Sequence, residues 1–219
     1  MNWSFILKVI PLFAKAAGIT LNIGFWGILL SVLIGMVCSL TVFYRIKGLH
    51  TIARMYIELS RNTPLLIQVF FLYFGLTQLG IKLSGTACAI IGLGFLGGSY
   101  MAEAFRGGID AVSRTQIEAG LSIGLSSKQI MRYVILPQAA SISMPQISAN
   151  IIFLLKETSI LSAIAIPELL YVTKSTIGLY YKTNEALFLL TVSYLILILP
   201  LSVLLRHIER RLRHAEYGN

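Results

Sequence analysis

Polar side chains recur at helical spacing in an otherwise apolar stretch of the second half of the chain. They are Ser143, Gln146, Asn150 and Glu157, and Thr158 and Ser159 follow directly. Intervals of three, four and seven residues place the first four on one face of a helix. A carboxylate on this face could pair with an ammonium group, and the amide and hydroxyl groups could donate hydrogen bonds to a carboxylate. An ionisable group in such a stretch is costly to bury, so the pattern indicates a polar path for a charged solute.

Glu157 also has structural interpretations. It could pair with Lys156 or with Arg106, or the polar face could bond to neighbouring helices. Glu103 and Arg106, three residues apart on one helix, are expected to form a structural ion pair. The candidate ligand-binding residues are therefore Asn150, Glu157, Thr158 and Ser159, with a packing role left open for Glu157.

The stretch from residue 106 to 136 is too polar to cross a membrane and too regularly patterned to be disordered. Thr115–Glu118 and Ser126–Gln129 each match a helix capping box. Gly124 lies between them and is a natural helix stop. We therefore expect two short helices joined by a sharp turn, with the second helix ending near Pro137. A short helix that projects from a membrane domain is a plausible docking element.

Long uncharged segments must position these residues. Hydrophobic residues make up 56% of the 219 residues and charged residues 12%, about half of the ~25% charge of an ordinary globular chain. Five gaps between charged residues are at least twenty residues long: 16–44, 62–81, 83–102, 133–155 and 186–205. A helix of ~20 apolar residues crosses the hydrocarbon core of a bilayer. The sequence thus predicts one all-α membrane domain over residues 1–219, a helical bundle with five transmembrane helices.

Five spans would place the two termini on opposite sides of the membrane, so the basic residues can be counted by side. Twelve of them, including all ten arginines, fall on the side of the 106–136 loop and the C-terminus, and five lysines fall on the other. By the positive-inside rule the C-terminus is cytoplasmic and the N-terminus is outside. The net charge of +9 is accordingly attributed to membrane topology, and nucleic acid is not expected as a partner.

Other features have ordinary structural interpretations. Residues 1–19 are expected to form a retained segment on the outer surface, and residues 50–61 an amphipathic helix in contact with lipid at the cytoplasmic interface. Gly92–Gly97 match the dinucleotide-binding spacing GxGxxG, but within an apolar helix these glycines are expected to permit close packing. Cys38 and Cys88 lie in apolar spans, and the histidines are scattered. No disulfide or metal site is expected.

The loop carries a recognisable pattern. Glu118-Ala119-Gly120, then Gly124, then Leu136 and Pro137 resemble the EAA loop of ABC importer permeases, which reads EAA, three residues, G, nine residues and IxLP. Gly120 replaces the third alanine and Val134 the isoleucine, and both keep the small or aliphatic character of the position.

Further segments resemble the polar amino acid subfamily of these permeases. Arg61–Leu66 is similar to its RGTPLL segment, with Asn62 in place of the glycine. Residues 100–109 and 155–159 are similar to two other segments of the subfamily, in the same order. The resemblance extends from about residue 20 to residue 213.

The resemblance implies an importer subunit in the cytoplasmic (inner) membrane of a bacterium, crossing it several times. Its partners would be two cytoplasmic ABC ATPase subunits, a second permease copy or homologue, and an extracytoplasmic binding protein that delivers a polar amino acid. It assigns ATPase coupling to Glu118, Ala119, Gly120, Gly124, Leu136 and Pro137. The chain has no Gly-Lys dipeptide and hence no phosphate-binding loop. ATP hydrolysis is therefore expected in a separate subunit, and no catalytic residue, cofactor or metal in this chain.

Two other classes of protein remain open. A secondary transporter or channel driven by an ion gradient commonly has two repeated halves with broken helices, and no such repeat is visible in the sequence. A structural membrane subunit without a translocation path would not account for a spaced docking loop together with an acidic residue inside a span.

Overall fold

The computed structural model describes the backbone of residues 1–217 and the side chains of residues 1–212. Its elements in chain order are α1 (Trp3–Phe43), α2 (Leu49–Arg61), α3 (Leu65–Phe70), a π turn (Phe71–Gly75), α4 (Leu76–Gln78), α5 (Gly85–Asp110), α6 (Arg114–Ser122), α7 (Ser127–Ile130), a second π turn (Met131–Ile135), α8 (Leu136–Glu157), a 3-10 helix (Thr158–Ile164), α9 (Leu169–Tyr180) and α10 (Thr183–Tyr217). The prediction of an all-α fold is confirmed over this part of the chain. Arg213, which belongs to the basic count above, lies outside the described side chains.

Four helical segments among the described residues are long and apolar enough to cross a membrane: Trp3–Phe43, Gly85–Asp110, Ser127–Ile164 and Thr183–Leu212. They contain the first, third, fourth and fifth predicted spans. The second predicted span coincides with Leu65–Gln78, a shorter apolar helix. At 1.5 Å per residue it extends about 21 Å, less than the ~30 Å of hydrocarbon. A membrane helical bundle is supported, whereas the fifth crossing and the orientation of the termini stay predictions.

The first helix differs from the expectation for residues 1–19. These residues do not form a separate segment, because α1 continues from Trp3 past Pro11 to Phe43. Its 41 residues extend about 62 Å, twice the thickness of the hydrocarbon core. The N-terminal turns are held by tertiary contacts that the sequence pattern did not reveal. They bury Ile6, Val9, Phe13 and Ala16 against Leu169, Val172 and Leu189.

Small residues bring α1 and α5 into close contact. A Cβ atom added at Gly35 would lie 2.4 Å from the Cβ of Met101, and one added at Gly27 would lie 2.7 Å from the Cβ of Leu93. The glycines of the 92–97 segment approach three different helices, since their nearest neighbours are Val69, Leu30, Ser31 and Leu154. The interpretation of this segment as a packing surface is therefore confirmed.

The amphipathic helix predicted at residues 50–61 is present as α2. Its packed face buries Ala53, Ile57 and Ser60. The hydroxyl groups of Tyr56 and Ser60 donate hydrogen bonds to the carbonyl oxygen of Phe95, at 2.6 and 2.9 Å. These contacts fix the rotation of α2 on α5. Its location at a membrane interface stays a prediction.

Candidate functional site

The loop of residues 106–136 is built around a left-handed turn. Gly124 has φ of +83°, a conformation that glycine adopts without steric cost. Its N–H donates to the carbonyl of Leu121 at 2.9 Å, and the N–H of Leu125 donates to the carbonyl of Gly120 at 3.0 Å. These two bonds form a Schellman motif, which satisfies the last carbonyls of α6. The predicted helix stop at Gly124 is confirmed.

Of the two capping boxes predicted for the short helices, the structure contains one. Ser126 and Gln129 form the expected capping box, with the Gln129 side chain accepting a 2.8 Å bond from the Ser126 N–H. The prediction of Thr115 as an N-cap is wrong. The extended backbone of Ser113 already serves as N-cap, so α6 begins at Arg114 and Thr115 lies in the first turn.

The second short helix does not end near Pro137. It continues through the π turn Met131–Ile135 into α8, which carries Pro137 near its start. Proline has no N–H and normally breaks the hydrogen-bond ladder of a helix. Here the π turn changes the register of the ladder just before Pro137, and local π adjustments can re-satisfy the backbone groups that a proline leaves unbonded. The loop is therefore connected rigidly to the long helix that follows.

The residues assigned to docking by resemblance divide between an exposed and an inward face. Glu118, Ala119, Leu136 and Pro137 are exposed, as are the neighbouring Leu121 and Ile123, whose exposed fractions are 55% and 77%. Gly120 is buried, and a Cβ atom added there would lie 3.3 Å from the Ile130 side chain. The small size of Gly120 therefore serves the packing of α6 on α7.

A polar cavity of about 450 Å³ lies between α5 and α8. An ion pair between Arg61 and Glu103 lines it, and the Arg61 guanidinium lies 5.4 Å from the centroid of the Tyr100 ring. The remaining lining residues include Gly108, Ser143 and Gln146. Two residues of the predicted polar face thus border a charged cavity. The arrangement offers a cation, an anion and hydrogen-bonding groups to a polar solute.

The predicted ion pair of Glu103 with Arg106 is present, but a second partner of Glu103 was not foreseen from the sequence. Arg106 approaches Glu103 only at 3.9 Å and lies closer to Asp110, at 3.0 Å. The main partner is Arg61, which precedes Glu103 by 42 positions. No spacing rule connects positions so far apart, and the scarcity of charge in the chain was the only available signal.

Asn150 joins two helices. It is buried, its amide donates to the Tyr100 carbonyl at 3.2 Å, and its oxygen accepts a 3.2 Å bond from Gln146. These contacts fit the alternative in which the polar face bonds to a neighbouring helix.

Glu157, Thr158 and Ser159 do not line the cavity. Glu157 is the last residue of α8 and is half-buried. The Glu157 side chain has no hydrogen bond or ion pair within the described part of the chain, although the charge of Lys156 acts on it. Arg106 pairs with Glu103 and Asp110 instead. The Thr158 hydroxyl is fully buried and donates to the Leu155 carbonyl at 2.7 Å. The structure therefore divides the predicted polar face into a cavity-lining half and a separate group at the end of α8.

Glu168 is a buried carboxyl group that sequence reasoning missed. It is the N-cap of α9, accepting bonds from the N–H groups of Leu170 and Tyr171 at 2.8 and 2.7 Å. Burial raises its pKa to about 7, against the opposing effects of these two N–H groups and of Lys174. An acid after Pro167 and before an apolar run was the signal for this cap. Among the described residues, no group of three His, Cys, Asp or Glu side chains could hold a metal ion.

Comparisons with known proteins agree over most of the chain. Residues 27–214 match the family described as binding-protein-dependent transport system inner membrane component. The glutamine transport system permease protein of Escherichia coli is 32% identical, covering 97% of this chain and 98% of its own. A probable amino-acid permease protein of Bacillus subtilis is also 32% identical, covering 96% and 95%.

Solved structures show the same relationship. One chain of the crystal structure of an amino acid ABC transporter with histidines has a TM-score of 0.90 and 33% identity, covering 96% of this chain and 99% of its own. The inward-facing MetNI methionine ABC transporter has a TM-score of 0.76 at 19% identity, which is a likeness of fold.

Proposed function

The chain belongs to the family of inner-membrane components of binding-protein-dependent transport systems, and from this premise we propose that it carries a polar amino acid into the cell. It acts as the permease subunit of an ATP-driven importer. The observation that carries the proposal is the near full-length similarity to a glutamine permease and to an amino acid ABC transporter. Family membership argues against the ion-driven and purely structural alternatives. The inner membrane of a bacterium is the proposed location, with the N-terminus outside.

We propose that the exposed face of the 106–136 loop docks on an ATPase subunit. Glu118 and Ala119 lie on the exposed side of α6, while Gly120 and Gly124 shape the turn behind it. Leu136 and Pro137 are exposed where the loop meets α8. A force applied to α6 would reach α8 through the continuous helix that begins at Ser127. The chain itself would hold no cofactor, because the separate ATPase subunits would bind ATP.

The path of the amino acid would run along α8. The Arg61–Glu103 cavity offers opposite charges that match the carboxylate and ammonium groups of a zwitterion. Glu157, with Thr158, Ser159 and Asn150, remains the proposed second contact region on the same helix. A second permease, identical or homologous, would close the path from the other side, and an extracytoplasmic binding protein would supply the amino acid.

Uptake by the reconstituted importer tests this function. Proteoliposomes with the permease, its ATPase and its binding protein should accumulate radiolabelled L-glutamine or another polar amino acid. Accumulation should occur only when ATP is present on the side of the membrane where the ATPase docks. Uptake that follows an ion gradient without ATP would overturn the proposal.

A matched pair of variants tests docking. Ala119→Arg places a long cation on the exposed face of α6 and should abolish retention of the ATPase in a detergent pull-down. Gln78→Arg adds the same side chain at an exposed position at the end of α4 and should retain the ATPase. Equal retention by both variants would remove the docking assignment.

A further inference from the structure

A basic cleft lies where α1 passes into α2. Arg45, Lys47, His50 and Arg54 line this cleft, whose volume is about 450 Å³, together with Ile46, Gly48 and Thr51. None of these lining residues is acidic. Within the described part of the chain, the side chains of Arg45, Lys47 and Arg54 have no hydrogen bond or ion pair. Three cationic side chains and His50 are thus gathered in one cleft without an ion pair, and the nearest acid on α2 is Glu58, one turn beyond Arg54.

The backbone adds to the positive potential of the cleft. Gly48 is the N-cap of α2 and provides no capping side chain, and of the first N–H groups that of His50 donates to the Ile46 carbonyl at 2.9 Å. The N-terminus of a helix carries a partial positive charge and favours anions. Arg45 has φ of +49°, a left-handed conformation that is unusual for a non-glycine residue. The chain therefore takes a costly turn at the point where it forms this cleft.

An exposed apolar row runs along the same helix. Leu49, Ile52, Met55 and Leu59 have exposed fractions between 53% and 67%. The row is not free to rotate inwards, because Tyr56 and Ser60 attach α2 to the Phe95 carbonyl and Arg61 pairs with Glu103. The fold thus holds a basic cleft and an apolar strip side by side on a fixed helix.

The position of the cleft, directly after the first candidate span, indicates that the cleft lies at the membrane surface. The first candidate span ends at Phe43, and Phe43 and Tyr44 pack edge to face with ring centroids 5.2 Å apart. Tyrosine concentrates at the level of lipid headgroups, which fits the position of Tyr44. An acidic protein would complement the basic cleft but would leave the apolar row in water, whereas a phospholipid complements both.

We propose that this cleft binds the phosphate of an anionic phospholipid, with the acyl chains lying along the apolar row of α2. The basic side chains and the N-terminus of α2 would hold the headgroup, since clusters of Lys and Arg beside a membrane span attract anionic lipid. Leu49, Ile52, Met55 and Leu59 would contact the hydrocarbon. The site lies outside the cavity and the loop used for transport, so it adds a lipid requirement to the proposed function.

Native mass spectrometry of the purified importer complex, titrated with dioleoylphosphatidylglycerol, tests the proposal. Arg45→Gln with Lys47→Gln and Arg54→Gln should weaken binding of one lipid by on the order of a hundredfold, because each basic group near the surface contributes about 1 kcal/mol. A matched variant, Lys8→Gln with Lys15→Gln and Lys82→Gln, removes three exposed basic groups elsewhere and should bind as the original chain does. Equal binding by the two triple variants would overturn the proposal.

Two further arms identify the source of the phosphate. Ile52→Ser with Met55→Ser keeps every charge and should weaken phosphatidylglycerol binding by roughly tenfold, since it removes acyl-chain contact. Displacement of the lipid by soluble glycerol 3-phosphate as effectively as by phosphatidylglycerol would contradict a lipid site. Loss of the ATPase from the basic triple variant, with lipid binding intact, would show a protein interface instead. Amino acid uptake is measured separately, so its failure would not affect the outcome for lipid.

Discussion

The guanidinium group of Arg61 forms an ion pair with the carboxylate of Glu103, which joins the end of α2 to the last turns of α5. This pair lines the polar cavity, and Arg61 also lies over the ring of Tyr100. The paired side chains are about one-third exposed, at 37% and 33%. A pair with this much exposure is expected to contribute little to stability. Because the pair lines the cavity, we expect its loss to affect transport more than folding.

A double-mutant cycle of Arg61→Gln and Glu103→Gln measures the pair. The coupling free energy from thermal unfolding should be about 0.5–1 kcal/mol, the range for partly exposed ion pairs. If the two charges contact the zwitterion, the loss of uptake in each single variant should correspond to a much larger free energy than this coupling. Asp110→Asn, which removes an exposed carboxylate that pairs with Arg106 and not with Arg61, serves as the control and should leave uptake unchanged. Additive single effects on stability would show that the ion pair contributes nothing.

The turn at Gly124 gives a prediction about assembly. Gly124→Ala should lower the free energy of unfolding by about 1 kcal/mol, because a side chain is strained at positive φ. It should also reduce ATPase retention, since the turn sets the direction of α6. Gly80→Ala introduces the same strain at φ of +85° outside the loop and should retain the ATPase. Comparable loss of the ATPase in both variants would attribute the effect to stability alone.

The sequence predicted the helices well, one of two capping boxes correctly, and long-range contacts poorly. Gly124 and Ser126 were recognised because their roles depend on residues three or four positions away. The Arg61–Glu103 pair depends on how α2 rotates against α5, which no local pattern encodes. Thr115 was misassigned because Ser113, two residues earlier, is an equally good cap in an extended conformation.

The polar face of α8 was predicted only in part, for a geometric reason. Ser143 and Gln146 border one cavity, and Asn150 bonds to Gln146 and to Tyr100. The α-helical repeat ends at Glu157, where a 3-10 helix begins. A single helical period therefore could not be extended to Thr158 and Ser159.

Membrane orientation can be tested by thiol labelling of exposed positions. Lys82→Cys and Ser113→Cys are placed singly in a background with Cys38→Ala and Cys88→Ala. Residues 82 and 113 are both exposed, so a difference in labelling would report the side of the membrane. An impermeant reagent added to intact cells should label position 82 and not position 113. Labelling of position 113 alone would reverse the orientation and remove the basis for docking an intracellular ATPase.

Glu168 predicts a dependence of stability on pH. Burial raises its pKa to about 7 from the ordinary value of 4.5, so the folded protein holds this proton more tightly than the unfolded chain. The contribution to stability is complete below about pH 4.5, and it is lost as the pH rises to about 7. The charged and polar groups facing this carboxyl are Lys174 on α9 and Tyr194 on α10.

Thermal unfolding of the detergent-solubilised protein between pH 5 and pH 8 checks this dependence. The unfolding temperature should fall with rising pH, and Glu168→Gln should flatten that part of the curve. Glu118→Gln replaces an exposed acid and should leave the slope as it is. An unchanged slope in Glu168→Gln would show that the buried carboxyl does not titrate in this range.

The last prediction concerns Glu157, a half-buried acid at the C-terminal end of α8. The C-terminus of a helix carries partial negative charge, so an acid there is destabilising unless a cation approaches it. Within the described part of the chain Glu157 forms no ion pair, although the charge of Lys156 acts on it. The ammonium group of a substrate would supply a direct partner. Glu157→Gln keeps the size of the side chain and removes its charge. The apparent affinity for the transported amino acid should fall by on the order of ten- to a hundredfold, because a charge-assisted contact contributes roughly 1.5 to 3 kcal/mol.

The control for this prediction is the double variant Glu157→Gln with Lys156→Gln. If Glu157 only balanced its exposed neighbour Lys156, neutralising both residues would restore uptake. If it contacts the substrate, the double variant should remain as impaired as Glu157→Gln, while ATPase retention stays normal in both. Full rescue by the double variant, or unchanged uptake of every amino acid tested in the single variant, would exclude Glu157 from the path. The Arg61–Glu103 cavity would then be the remaining candidate for the cation-binding group.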